Sequence, residues 1–170
     1  MKTHQPGDIY KVALYSGIGY FQHVANDKTQ LGSNVIRVFV TRYGMDERPT
    51  LEGIAHGDTD FFAHVSIPLG VKLGTWVRIG TAAVDYGATD LLFAISEDFG
   101  DPDIETSRRW GVWRCNAPIE WIGPLTAEHK RANLGYVINP MSIVHKMATG
   151  RFDHAYQGFE DLMSSLNSSK

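Results

Sequence analysis

One cysteine, Cys115, stands among 170 residues. That scarcity excludes an internal disulfide and any zinc site built on clustered cysteines, and it agrees with a reducing compartment. No apolar run approaches the roughly 20 residues that a membrane-crossing helix needs. The opening MKTHQPGD places no apolar stretch after its lysine, so neither a secretion leader nor a lipid anchor is expected, and the cytosol is the expected location. Positive charge is also short: 16 Lys and Arg face 19 Asp and Glu, a net charge of −3. No general basic field is therefore present to hold nucleic acid or an anionic membrane. The strong catalytic signatures G-x-S-x-G, H-E-x-x-H, the P-loop and paired C-x-x-C are missing too. These absences favour a binding protein that needs no cofactor.

What the chain does contain is 43% hydrophobic residues, enough at this length for one domain with its own core. Short alternating segments separated by turn residues dominate the pattern. Asp8 to Leu14 puts Tyr10, Val12 and Leu14 on one face. Ile18 to Ala25 puts Ile18, Tyr20 and Val24 on one face and Phe21 and His23 on the other. Tyr15-Ser16-Gly17 between them suits a tight hairpin connection. Asn34 to Val40 places Ile36, Val38 and Val40 opposite Arg37, and "DTDFFAHVSI" places Phe61, Ala63, Val65 and Ile67 opposite Phe62, His64 and Ser66. "GTWVRIG", "DLLFAIS", "RRWGVWRC" and "PIEWIG" read as further strands, rich in aromatic and β-branched residues.

Helical spacing is rarer. Pro49 to Gly57, with Leu51, Ile54 and Ala55, reads as a short helix. A longer one is capped by Asn139, starts at Pro140, carries Met141, Val144 and Ala148 beside Ile143 and Met147, and stops at Gly150. A last one carries Tyr156, Phe159, Leu162, Met163 and Leu166. The expected fold is therefore mainly β, α+β in class: a twisted antiparallel sheet or partly open barrel of about seven to eight strands with C-terminal helices packed on it. Residues 1–170 form one domain in this reading, β-rich over 6–125 and helical over 126–166, with a frayed tail at 167–170.

Four groups invite a chemical reading. Gly17 and Gly19 begin G-x-G-x-x-G, but position 22 is Gln and no helix follows, so a turn is the better account than a phosphate cradle. His23, on a strand beside Phe21, reads as a satisfied core or rim histidine. His56, Asp58, Asp60 and His64 share parity, and imidazoles with carboxylates suit a divalent metal. Fully extended at about 3.3 Å per residue, however, His56 and His64 lie some 26 Å apart. The plainer reading puts Asp58 and Asp60 in the turn before the strand and His64 on its outer side. Cys115 ends a Trp-rich strand and reads as a buried thiol. Five carboxylates, Glu97, Asp98, Asp101, Asp103 and Glu105, crowd "EDFGDPDIE" without the EF-hand spacing. With Gly100 and Pro102 between them they form an acidic loop that faces water or a basic partner.

The order of "PGDIYKVALYSGIGYFQHV", "FFAHVSIPLGVKLGTWVRIG" and "WRCNAPIEWIG" resembles the immunity protein 26 family, which is grouped with the small phosphotriesterase HocA. The likeness runs from about Pro6 to the C-terminal helices. It implies a mainly β domain that neutralises a bacterial toxin in the cytosol, with hydrolysis of organophosphate triesters as an outlying activity. Gly7, Asp8 and Trp76 are the positions it carries over, in structural roles. Two functions follow as expectations: a non-enzymatic binder of a cognate protein toxin, with Glu97 to Glu105 as the contact, or a small metal-assisted phosphotriester hydrolase. Toxin, substrate and oligomeric state stay open at this point.

Overall fold

A computed structural model describes residues 3–87, 90–98, 101, 103, 107–153 and 157–168. The chain is mainly β, in two mixed sheets. Strands β1 (Asp8–Leu14), β2 (Gly17–Asp27), β3 (Ser33–Phe39), β4 (Thr59–Val65) and β5 (Trp76–Thr81) belong to the larger sheet, with α1 (Leu51–Ala55) and α2 (Ile67–Lys72) on either side of β4 in sequence. Strands β6 (Leu92–Ser96), β7 (Trp110–Arg114), β8 (Glu120–Ile122) and β9 (Asn133–Leu134) make the smaller one. β10 (Val137–Ile138) returns to the first, and α3 (Pro140–Thr149) and α4 (Gln157–Ser168) follow. The strand orders are β10-β4-β3-β2-β1-β5 and β8-β7-β6-β9, and the sheets do not close into a barrel.

Alternation sets the first hairpin. Tyr10 pairs with Phe21 across β1 and β2, their rings stack with centroids 4.9 Å apart, and the edge of Trp76 meets Phe21 at 4.9 Å. Gly17 is required where it stands, because a Cβ there would collide with the Tyr43 carbonyl. Gly7 has φ +99 and donates its N–H to His23 O at 2.8 Å. The next residue, Asp8, is fully buried and accepts from Arg78 Nη2 at 2.8 Å and Thr81 Oγ1 at 3.0 Å. Burial alone would raise the Asp8 carboxyl, but these donors and the Gln5 N–H outweigh it and hold it below its usual range.

Ser66 begins the helix that alternation hides. Its hydroxyl accepts from Leu69 N–H, Pro68 sits in the first turn and Gly74 follows at φ +73. Ile67 therefore opens α2 instead of extending β4 as its apolar parity implies, and α2 rests on Trp76 through Gly70. The span 126–139, expected to be helical, contains a 3-10 turn at Ala127–His129 and two two-residue strands, which pair in parallel, β9 with β6 and β10 with β4. The other pairs are antiparallel.

The α3 boundaries follow the sequence signals: Asn139 Oδ1 accepts from Met141 N–H at 2.8 Å and Gly150 ends the helix at φ +82. Ile143 and Met147 enter the core, whereas Met141 and Ala148 are exposed. In α4, Phe159 is buried and Leu162, Met163 and Leu166 pack partly against the core. Asn167 and Ser168 are helical instead of frayed, while Tyr156 and residues 169 and 170 lie outside the described residues. Val40 lies past the end of β3 and is exposed. Among the described residues, no helix is long and apolar enough to cross a membrane.

Candidate functional site

At His64 the outer face of β4 does not meet water, because the smaller sheet covers it there. Val35, Val24, Phe93, Trp113 and Cys115 pack together there, and the same seam holds polar groups. Asp27 and His64 are both fully excluded from solvent. Asp27 Oδ1 accepts from the N–H groups of Thr29 and Gln30 at 3.1 and 3.2 Å, and Oδ2 accepts from Trp113 Nε1 at 2.9 Å. Burial raises the Asp27 carboxyl, but these hydrogen bonds and His64 outweigh it, so Asp27 is held ionised below its usual range. His64 Nδ1 lies 2.9 Å from Ser33 Oγ and Nε2 lies 3.8 Å from Asp27 Oδ2. Burial pushes the imidazole down to about 4, with Asp27 opposing in part, so His64 is neutral at pH 7. His64 thus does not face outward, as its place opposite the apolar parity suggests.

Beside this seam the two sheets part. β10 pairs with β4 only at His64 and Val65, and β9 pairs with β6 only at Phe93 and Ala94. Between Thr59–Phe62 on one wall and Asp90–Leu92 on the other lies a cleft of about 540 Å³. Asn133 staples its end, accepting from Phe62 N–H at 3.1 Å and donating to Leu92 O at 3.2 Å. The Tyr86 ring meets Phe62 edge-on at 5.3 Å. Buried Arg37 braces this wall, with its guanidinium 4.6 Å from the Tyr86 centroid, Nε donating to Thr59 Oγ1 at 2.6 Å, and Nη1 and Nη2 donating to Ala55 O and Gly57 O. Arg114, Arg131, Asp60, Asp90 and Glu128 complete the lining. Phe61, Phe62, Arg131 and Asn133 also line a second hollow of about 320 Å³ that runs on toward Lys146 and Phe159.

The histidine and aspartate series is scattered. Asp58 lies in the turn, its carbonyl accepting from Val40 N–H at 2.9 Å. Asp60 is the second residue of β4 and pairs with Arg42 at 3.1 Å. His56 is exposed and its Nδ1 lies 2.7 Å from Glu52 O, while His64 is in the seam. Among the described residues no three His, Cys, Asp or Glu side chains gather where a metal ion could sit. His23 is fully buried, with Nε2 3.0 Å from Asn26 Oδ1, and burial lowers its pKa. Cys115 is buried and its thiol is pushed up to about 11 by burial, with Asp27 adding to it.

Of the acidic loop, Glu97 pairs with Arg109. Asp98 is bound by Ser107 and Ser96, which lower its carboxyl in that order. Asp101 Oδ1 accepts from Asp103 N–H at 2.9 Å, and both residues are exposed. Glu105, Gly100 and Pro102 lie outside the described residues. The cleft was not legible residue by residue, because its walls come from segments about thirty residues apart; Tyr86 and Arg131 carry no local pattern that marks them. No protein-family model, no curated protein and no solved structure matches the chain.

Proposed function

We propose that this protein is an immunity-type binder that neutralises a protein toxin in the cytosol by occupying it, not by catalysis. The observation that carries the reading is the cleft between β4 and β6. An aromatic pair, Phe62 and Tyr86, is ringed there by Arg114, Arg131, Asp90 and Glu128. Partner anchors of the Arg, Tyr or Trp kind draw most of their binding energy from such pockets, where an apolar floor is closed off by a polar rim. Arg37 and the Asn133 staple hold the walls before a partner arrives, which lowers the ordering cost of association. The exposed carboxylates of Asp101 and Asp103 add a negative surface suited to a basic toxin.

The resemblance to immunity protein 26 points the same way. The metal-assisted hydrolase has less to recommend it, since Asp60 is committed to Arg42 and His64 sits in the seam. Mapping the neighbouring reading frames for a toxin domain, followed by calorimetric titration with it, tests the reading. A saturable one-to-one complex is expected, and the absence of any complex overturns it.

A further inference from the structure

Ser33, His64 and Asp27 come from three adjacent strands, and the register brings them to one face. Ser33 stands opposite Asp27 across β2 and β3, and Val35, two residues on, stands opposite His64 across β3 and β4. The His64 ring bridges the other two, with Nδ1 at 2.9 Å from Ser33 Oγ and Nε2 at 3.8 Å from Asp27 Oδ2. Among the described residues Nε2 has no hydrogen-bond partner. Electrostatics fixes the tautomer. A ring proton on Nδ1 would leave the Nε2 lone pair aimed at a buried carboxylate; a proton on Nε2 replaces that repulsion with attraction. Nδ1 is then the acceptor, and the Ser33 O–H must donate to it.

A hydroxyl directed at a neutral base, whose far nitrogen faces a carboxylate, has the parts of an activated nucleophile. The carboxylate is itself locked by Trp113, Thr29 and Gln30, and the Phe93 ring packs 4.1 Å from the imidazole. Unlike His64 and Asp27, Ser33 reaches the surface: it is half-buried, and the Gly32 before it is exposed at φ +57 with open space beside it.

We propose that Ser33 is a nucleophile toward small activated carboxylic esters, with His64 as its base and Asp27 as the group that orients and stabilises the base. Ser33 Oγ bonds to the acyl carbon while its proton passes to His64 Nδ1. The C–O bond to the leaving group breaks, and the aryloxide departs with the bonding electrons and takes the proton from the imidazolium that lies against Asp27, which restores the neutral base. Water then bonds to the acyl carbon as its proton passes to His64 Nδ1, the Oγ–acyl bond breaks, Oγ takes that proton back, and the carboxylic acid leaves. This activity is separate from the toxin cleft and does not depend on it.

The probe is p-nitrophenyl acetate at neutral pH, read by nitrophenolate release and by peptide mapping of the acetylated protein. Acetyl is expected on Ser33 at about 10²-fold the rate of other surface serines, as base assistance allows, and Ser33→Ala should lose it while surface lysine acetylation is unchanged. His64→Gln supplies a second reading, because it leaves Ser33 in place and removes its base: acetylation of Ser33 should fall to the rate of other surface serines, with the denaturant midpoint at pH 7 showing that the variant is folded. Ser33 acetylated no faster than other serines in the parent, or as fast in folded His64→Gln as in the parent, would overturn the proposal.

Discussion

Trp113 Nε1 donates a 2.9 Å hydrogen bond to Asp27 Oδ2, and through it β7 of the smaller sheet holds the end of β2 in the larger. Both partners are buried. It lets a charge sit in the seam, because the carboxylate has donors for both oxygens.

Trp113→Phe keeps most of the ring packing against Phe93 but removes that donor. A buried carboxylate short of one hydrogen bond costs about 1–3 kcal/mol. Urea unfolding should show a loss of this size with an unchanged slope. A variant as stable as the parent would mean that Asp27 draws its donors from elsewhere.

His64 makes stability depend on pH. Its pKa falls from 6.5 in the unfolded chain to about 4 in the fold, so between those values the unfolded chain binds a proton that the folded one refuses. Stability therefore falls as pH drops through that window, by about 3 kcal/mol at its foot. Asp27 and Asp8, held low in the fold, add losses of the same sign at still lower pH. Denaturant midpoints measured from pH 7 to pH 4 should decline, and His64→Gln should flatten most of that slope. An equal slope in the variant would assign the effect to other groups.

Much of this architecture was legible locally. Apolar strand-forming runs mark β1 to β4, of which β2 and β3 are buried on both faces, and Asn139, Pro140 and Gly150 mark α3 because helix ends must satisfy their own backbone groups. Ser66, Pro68 and Gly74 marked α2 as well, but Ile67 continues the parity of Phe61, Ala63 and Val65, and the stronger period hides the cap. β9 and β10 have no such signal. Each is two residues long and owes its extended backbone to a parallel partner distant in sequence. His64 shows the limit most plainly: its parity placed it opposite the apolar face, and only the second sheet makes that face an interior.

Gly70 reports on the seat of Trp76. A Cβ at position 70 would stand inside the indole ring of Trp76, so Gly70→Ala must shift α2 away from β5 or turn the indole. Overpacking of this kind costs about 1–3 kcal/mol. Near-ultraviolet circular dichroism should lose part of its Trp signal alongside the stability, whereas a small gain in stability, the usual result of Gly→Ala on an open helix face, would mean that the two elements do not touch.

The acidic loop should govern the rate of encounter more than the strength of the complex. Asp98→Asn, Asp101→Asn and Asp103→Asn together should leave the unfolding midpoint nearly unchanged. They should slow association with a basic toxin at low salt and flatten its salt dependence. Stopped-flow association at two ionic strengths checks this, and wild-type rates at both would leave the loop a solvated turn.

The cleft is the core of the functional account, and two substitutions test it directly: Tyr86→Ala, which removes an aromatic wall, and Arg131→Glu, which reverses an exposed rim charge. The measurement is calorimetric titration of the double variant and of the parent with a toxin domain taken from a neighbouring reading frame, with denaturant midpoints taken in parallel. The parent should form a one-to-one complex, and the variant should bind more weakly by about 30-fold or more, the loss of about 2 kcal/mol that a hot-spot pair represents, at a comparable midpoint. A parent that forms no complex, or a variant that binds as tightly as the parent, would contradict it.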